Sequence, residues 1–182
     1  MVQVVTDNAS NCVGAGKLIM EKYRTIYWTP CAAHCLDLLL HDLAKFPWVN
    51  ETILREKTIA NFIINHRLTL SLYRKNASRE LLRKKTSIRS VFCTAEWERS
   101  HLSKESRGKH VEQVLLSNNN FWENAQKVLK MCDPIVEVLR MVDGDKPSMG
   151  FIYEAMDRCN EKITSAFEYV EADYKDIWEV VD

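Results

Sequence analysis

The chain has 182 residues, of which 46% are hydrophobic and 27% charged, and its formal net charge is zero. This composition is typical of a folded globular domain and excludes a collagen-like or intrinsically disordered chain. At this length a chain buries about two thirds of the surface that it exposes when unfolded, which favours one domain over two.

The zero net charge results from cancellation between segments of opposite sign. Residues 1–50 contain four acidic and four basic side chains, residues 51–120 contain seven and fourteen, and residues 121–182 contain fourteen and seven. The middle segment therefore carries a net charge of +7 and the last segment −7. A basic segment favours an anionic partner such as DNA, whereas a solvated charged face is the alternative interpretation.

The chain is predicted to begin with a strand, a helix and a second strand. The β-branched run Val2–Thr6 is typical of a strand, and residues 9–23 carry apolar side chains at helical spacing. Thr25–Thr29 is a second strand that ends at Pro30, which cannot donate a backbone hydrogen bond. The face of the helix that we expect to be buried consists of Cys12, Ala15, Ile19 and Tyr23.

A strand-helix-strand unit implies two parallel strands with a right-handed crossover, and parallel strands are normally buried on both faces. Two strands are too few for a stable sheet, and their outer edges offer unpaired backbone groups. We therefore expect the sheet to be completed by another molecule, through protein or self-association at its edges, or by strands upstream of Met1.

Every periodic stretch after Pro30 is predicted to be helical. Breaks are expected at Pro47, at the asparagine run 118–120 and between Gly144 and Pro147. The predicted fold class is an α/β start followed by a mostly α remainder. The predicted helices span residues 31–45, 48–64, 66–85, 95–105, 108–116, 119–142 and 147–169.

The sequence also limits where the protein is expected to act. No apolar run approaches the roughly 18 residues that a membrane span needs, so we expect no membrane association. The residues after Met1 lack the basic and apolar regions of a signal peptide, so secretion is not expected. Six cysteines in such a chain are expected to be free thiols in an intracellular reducing compartment.

Asp7 follows the first predicted strand, at the end where open parallel sheets place ligand and catalytic groups. A carboxylate at this position suits a hard divalent cation such as Mg²⁺. The alternative interpretation is structural, because an Asp-Asn pair before a helix is also typical of a helix N-cap.

Cys31, His34 and Cys35 follow the second predicted strand. They could belong to a zinc site, with His41 as a further ligand, although the sequence shows no second ligand pair. In another interpretation His34 lies in the first turn of a helix, where backbone N–H groups favour a phosphate. A buried histidine at a tightly packed helix start is the structural alternative.

The centre of the positive segment is the other candidate functional region. Basic side chains on a helix can neutralise DNA phosphates, whereas a solvated face is again the alternative. The candidate nucleic-acid-binding residues are Arg79, Arg83, Lys84, Lys85 and Arg89.

Two motifs resemble one known family. Val4–Asn11 (Val-Val-Thr-Asp-Asn-Ala-Ser-Asn) and Trp28–Leu40 (Trp-Thr-Pro-Cys-Ala-Ala-His-Cys-Leu-Asp-Leu-Leu-Leu) closely resemble the plant hAT-like transposases, transposable-element proteins with an RNase H-like domain. Leu139–Met156 looks like the helical insertion of that family. The resemblance implies a partial RNase H-like core at 1–46 and a helical insertion region at 47–182.

The resemblance implies DNA strand cleavage and transfer, in which three carboxylates bind two Mg²⁺ or Mn²⁺ ions. Asp7 matches the second of these carboxylates and would be a metal ligand, while Cys31 and His34 match the family's C/D-x-x-H motif. A nuclear location and DNA as a partner are implied in the same way, with no small-molecule substrate and no membrane.

The chain also departs from the family pattern. The first catalytic Asp is expected upstream of Met1 and the final Glu beyond Asp182, and a Thr-Arg-aromatic motif is missing as if deleted near 82–90. The sequence therefore predicts a truncated, catalytically inactive transposase fragment. The alternatives are a domesticated module that binds nucleic acid or protein without catalysis, and an enzyme completed by carboxylates from another chain.

Overall fold

In the computed structural model of the protein, the structure describes residues 2–76, 85–117, 120–144 and 149–170, together with 175 and 177. The predicted fold class is confirmed, because a short parallel sheet at the start is followed by helices in the rest of the described chain. The first elements are β1 (Val2–Thr6), α1 (Ser10–Lys22), β2 (Ile26–Pro30) and α2 (Ala32–Leu43). They are followed by α3 (Pro47–Asn65), α4 (Arg67–Asn76), α5 (Lys85–Phe92), α6 (Ala95–Glu98), α7 (Ser106–Leu116), α8 (Phe121–Val142), a 3₁₀ turn (Met149–Phe151) and α9 (Ile152–Ala166).

The parallel pairing of the two strands is confirmed. Val2 lies opposite Ile26, and Thr6 lies opposite Pro30. The expectation that both faces of the sheet are buried is wrong, since the side chain of Val5 is 49% exposed. Gln3 and Val5 of β1 lie with their partners Tyr27 and Thr29 of β2 on the face opposite to Trp28, which packs against α1.

The predicted buried face of α1 is partly wrong. Ala15 and Tyr23 are exposed, while Gly16 is buried. A Cβ atom at Gly16 would lie 2.3 Å from Cδ2 of Trp28, so the indole ring occupies the space beside this glycine. The buried stripe of α1 is therefore centred on the residue with the smallest side chain, which a count of apolar residues does not reveal.

Two helix predictions differ from the structure. Helix α5 lies where no separate helix was predicted, and the segment 77–84, which the prediction 66–85 includes, lies outside the described residues. The predicted helix 95–105 ends at Glu98, because the hydroxyl of Ser103 donates to the carbonyl oxygens of Glu98 (3.1 Å) and Ser100 (2.9 Å). Such side-chain bonds compete with the helical hydrogen-bond pattern.

The chain divides into two compact units, which we call unit 1 (residues 1–46 and 128–182) and unit 2 (residues 47–127). Helix α8 contributes its first residues to unit 2 and the rest to unit 1. Unit 2 contains fifteen basic and eight acidic residues, and residues 128–182 contain six and thirteen. The basic segment 51–120 thus lies within unit 2, and most of the acidic segment 121–182 lies in unit 1.

Unit 2 has a continuous hydrophobic core centred on Trp97, whose side chain is fully buried. The indole ring meets Phe92 edge-on, with ring centroids 4.7 Å apart, and Phe62 in a similar way at 6.0 Å. Aromatic pairs in this geometry stabilise a core beyond the area that they bury. The buried hydroxyl of Thr69 lies within donor distance of the carbonyl oxygens of Ile63 in α3 (3.1 Å) and of His66 directly after α3 (2.9 Å).

Besides α1 and α2, unit 1 contains most of α8 and all of α9. Lys162 forms an ion pair with Glu137, and the ammonium of Lys130 donates to the carbonyl oxygen of Ala166 (3.0 Å). Burial raises the pKa of the Cys132 and Cys159 thiols to about 11, so both stay protonated at neutral pH. Among the described residues, no helix has the length and apolar character that a bilayer crossing requires.

Candidate catalytic site at the strand ends

The carboxyl ends of β1 and β2 lie side by side. The backbone N–H of Cys31 donates to the carbonyl oxygen of Thr6 at 2.6 Å, which extends the ladder one residue beyond the register pair Thr6 and Pro30. The indole Nε1–H of Trp28 donates to the Thr6 hydroxyl at 2.9 Å. These bonds hold the ends of both strands, and Asp7 and Cys31 follow directly at this edge.

The carboxylate of Asp7 is held by neighbours at the start of α1. Its Oδ1 accepts a hydrogen bond from the backbone N–H of Ala9 at 3.2 Å. The pKa of Asp7 lies below its usual value because the Cys12 thiol and then the Ala9 N–H bond the charged form, with a smaller contribution from the charge of His34. Ala9 rather than Asp7 is the N-cap of α1, so the carboxylate bonds the turn before the helix and not the helix interior.

Cys12 is a site residue that the sequence analysis did not assign to this site. Its thiol interacts with the Asp7 carboxylate, and this interaction is the main cause that raises the pKa of Cys12 above its usual value. Cys12 lies one helical turn after Ala9, on the half-buried side of α1. The sequence analysis placed Cys12 on the predicted buried face of α1. That placement indicated that Cys12 packs against the core, and it did not indicate a carboxylate partner.

Helix α2 brings His34 to the same edge. Cys31 is the N-cap of this helix, so His34 lies in its first turn and is half-buried. His34 thus follows β2 at the strand end beside the one that Asp7 follows, and it contributes to the lowered pKa of Asp7. Burial, and then the nearby Cys31, raise the pKa of the Cys35 thiol.

The described residues do not fit a two-metal centre. Within the part of the chain that the structure describes, no three His, Cys, Asp or Glu side chains are grouped so that they could hold a metal ion. Asp7 therefore stands as a single carboxylate beside the Cys12 thiol, and the described residues do not group Cys31, His34 and Cys35 as a zinc site either. A two-metal centre needs several carboxylates that clamp the attacking and leaving oxygens.

The candidate nucleic-acid-binding residues fall into two groups. Lys85 and Arg89 are described, and each contacts its own chain. The Lys85 ammonium lies 5.6 Å from the ring centroid of Trp122, and Nη2 of Arg89 donates to the carbonyl oxygen of Leu116 at 3.3 Å. Both side chains thus support the end of α7 and the start of α8. The other candidates, Arg79, Arg83 and Lys84, lie outside the described residues.

Two shallow grooves lie elsewhere. One groove, of about 140 Å³, lies between α3 and α7 and is lined by Leu54, Arg55 and His110 among others. The other, of about 240 Å³, lies between α8 and α9 and includes Met141 and Cys159. Neither groove includes Asp7, Cys31 or His34, so the strand ends remain the candidate site.

The bond between Cys12 and Asp7 predicts a pH-dependent effect of Cys12→Ala. Loss of the thiol should raise the pKa of Asp7 toward its usual value, as an NMR titration of the carboxyl carbon would show. Because the native pKa of Asp7 is lowered, the bond stabilises the fold above the usual carboxyl pKa, and this contribution disappears as the pH falls through the native pKa. The destabilisation by Cys12→Ala should thus shrink as the pH falls below the usual carboxyl pKa and through the lower native pKa of Asp7.

Cys93→Ala is the matched control, because Cys93 is an exposed cysteine outside the site. It should leave the pKa of Asp7 unchanged. An Asp7 pKa that is the same in the wild type and in Cys12→Ala would contradict the assigned hydrogen bond.

The comparisons with known proteins concern this part of the chain. No curated protein and no solved structure matches the chain. Residues 1–59 match the model of a family described as a domain of unknown function (DUF659), which is associated with hAT-like transposase-related proteins. The matched segment contains β1, α1, β2 and α2 and therefore all residues of the candidate site.

Proposed function

We propose that this chain is a hAT-like transposase-derived domain with an RNase H-like origin, and that it does not cleave DNA by itself. The observation that carries the proposal is the placement of Asp7 and His34 after the adjacent carboxyl ends of two parallel strands. Both residues lie inside the segment that matches a transposase-related family. A nuclear location follows from the proposal.

The chemistry of the site supports the absence of cleavage. Asp7 uses its carboxylate to bond the Ala9 N–H and the Cys12 thiol, and both bonds stabilise its charged form. The thiol stays protonated beside this charge, because the same bond raises its pKa. Asp7 thus orders the start of α1, and among the described residues it is not grouped with the further carboxylates that a two-metal centre needs.

The proposal predicts the outcome of a cleavage assay. The purified chain, mixed with hairpin or nicked DNA and Mg²⁺ or Mn²⁺, should produce no metal-dependent strand cleavage on denaturing gels. Asp7→Ala should give the same result as the wild type, and Asp37→Ala, which removes an exposed carboxylate of α2, serves as the control. Cleavage by the wild type and by Asp37→Ala that Asp7→Ala abolishes would contradict the proposal, whereas cleavage by all three proteins would identify a contaminating nuclease.

A second candidate function is a nucleic-acid-binding module, and the net charge of +7 of unit 2 supports it. Unit 2 has exposed basic side chains besides Lys85 and Arg89, among them Arg107 and Lys109 of α7. A cation that neutralises a phosphate releases the counterions bound there, and each of these side chains does so separately.

If unit 2 binds DNA through phosphates, the affinity should fall steeply with salt. For each phosphate contact, the slope of log K against log salt concentration should change by about 0.9. The double variant Arg107→Gln and Lys109→Gln should weaken binding and reduce the slope, as fluorescence anisotropy with a labelled duplex would measure. The matched control is Arg158→Gln on α9, an exposed arginine of the acidic unit. A flat salt dependence would contradict DNA binding and favour a protein partner.

A further inference from the structure

One exposed hydroxyl group of unit 2 directly follows a run of basic residues. Thr86 is the second residue of α5 and is exposed, and the sequence places Arg83, Lys84 and Lys85 directly before it. The Thr86 hydroxyl forms no hydrogen bond with another described residue. Arg89 follows three residues later, which is one turn of the same helix. A negatively charged group on Thr86 would therefore have basic residues on both sides along the chain.

The structure distinguishes this threonine from other hydroxyl groups that follow basic residues. The next residue, Ser87, is buried. Thr58 is exposed and lies three residues after an arginine, but its hydroxyl donates to the carbonyl oxygen of Leu54 at 2.8 Å. The arginine, Arg55, forms an ion pair within the same helix. Of these three residues, only Thr86 combines an exposed side chain with a hydroxyl that has no hydrogen bond within the described chain.

The first turn of α5 can open without loss of the hydrophobic core of unit 2. An enzyme that reads the residues around a hydroxyl needs the helix there to open locally. The N–H groups of a first turn have no partner within the helix, so this opening breaks few hydrogen bonds. The fully buried residues of α5, Val91 and Phe92, lie at its other end. Thr58 lies in the middle of α3, where the same opening would break helical bonds on both sides.

We propose that Thr86 is a phosphorylation site for a basophilic protein kinase, which is a kinase whose acidic groups recognise basic residues before the acceptor. The kinase transfers the γ-phosphoryl group of ATP to Oγ1 of Thr86. A bond forms between Oγ1 and the γ-phosphorus, and the bond between this phosphorus and the oxygen of the leaving ADP breaks. The hydroxyl proton passes to a carboxylate of the kinase.

The surroundings of Thr86 favour the phosphorylated form. A phosphate in the first turn of a helix is stabilised by the free N–H groups and by the helix dipole. Lys85 and Arg89 are the described cations nearest to Thr86 along α5. The guanidinium of Arg89 donates to the carbonyl oxygen of Leu116 at 3.3 Å, which is long for a hydrogen bond of a charged donor. A phosphate therefore competes well for this side chain.

Phosphorylation also changes the charge of unit 2. A phosphate adds about −2 at neutral pH, which lowers the net charge of +7 to about +5. An anionic partner such as DNA would then bind more weakly. This consequence rests on the nucleic-acid-binding function considered for unit 2, whereas the modification site itself does not depend on that function.

The test is incubation of the full chain under native conditions with Mg²⁺-ATP and the catalytic subunit of cAMP-dependent protein kinase, a basophilic enzyme. Mass spectrometry then locates and quantifies the phosphate. The wild type should be phosphorylated at Thr86, Thr86→Val should lose this phosphate, and Thr86→Ser should retain it. Thr58→Val is the matched control, because it removes an exposed hydroxyl that also follows an arginine and a lysine, and it should leave the amount of phosphate unchanged.

A double variant tests the recognition of the basic run. Replacement of Arg83 and Lys84 by glutamine should lower the rate of phosphorylation about tenfold or more, since one charge-assisted hydrogen bond contributes roughly this factor. The near-ultraviolet circular dichroism of each variant shows that it is folded. A folded wild type without phosphate at Thr86, in a reaction that phosphorylates a basic reference peptide, overturns the proposal, as does an unchanged rate in the double variant. The DNA affinity of the unmodified chain tests the nucleic-acid-binding function separately.

Discussion

Gly108→Ala is expected to destabilise unit 2 by about 3 kcal/mol or more. Gly108 is buried in the first turn of α7, and a Cβ atom there would lie 1.8 Å from the carbonyl oxygen of Leu102. It would also lie 3.2 Å from Cη2 of the fully buried Trp97. Because the first clash is with backbone, a change of side-chain rotamer cannot relieve it.

The turn that contains Leu102 has little freedom to move aside. The hydroxyl of Ser103, the next residue, donates to the carbonyl oxygen of Glu98. The N–H of Glu105 donates to the carbonyl oxygen of Leu102 at 3.3 Å. A shift of the turn would break these bonds and would disturb Trp97. The alternative, a shift of α7, would open the core around Val111 and Leu115.

Denaturant unfolding of Gly108→Ala, followed by the near-ultraviolet signal of the buried aromatics, measures this effect. Lys109→Ala is the control, because the lysine is the next residue of the same helix and is exposed. It should change the free energy of unfolding by less than about 0.5 kcal/mol. If Gly108→Ala lowered the free energy of unfolding no more than this control, α7 could not lie as close to the turn as the structure shows.

The sequence predicted the elements at the start of the chain well, because each is bounded by a strong local signal. β1 was predicted with its observed bounds, and β2 was displaced by one residue at each end. The predictions failed where side chains outside the apolar pattern decide the structure. Ser103 ends the short helix α6 by bonding its backbone, and the apolar count that predicted a longer helix ignores such bonds.

The candidate site could be predicted in part for a similar reason. Two parallel strands place their carboxyl ends at one edge, so the closeness of Asp7 and Cys31 follows from topology alone. The bond between Asp7 and Cys12 depends on the rotation of α1, which Gly16 and Trp28 determine, and no local pattern carries this information. In the same way, the contact of Arg89 with Leu116 joins residues far apart in sequence.

Gly16→Ala is expected to destabilise unit 1 by about 2–3 kcal/mol and to disturb the candidate site. The added Cβ would lie 2.3 Å and 2.4 Å from Cδ2 and Cγ of Trp28, which are at the base of the indole and cannot swing away freely. If the indole moves, its Nε1–H loses the hydroxyl of Thr6, the residue directly before Asp7. NMR should show a displaced Nε1–H signal of Trp28 and a changed carboxyl signal of Asp7.

Gly14→Ala is the matched control, because it introduces the same methyl group on the same helix where no atom lies within 4 Å. There the higher helix propensity of alanine should stabilise the protein by up to about 1 kcal/mol. In the double variant Gly16→Ala with Trp28→Leu, the smaller side chain should remove the clash, so the two changes should cost less together than the sum of their separate costs. Strictly additive costs would show that Gly16 matters for a reason other than its contact with Trp28. In that case the fit between this glycine and the indole ring would not be what sets the rotation of α1. It would then also not be what places Cys12 beside Asp7.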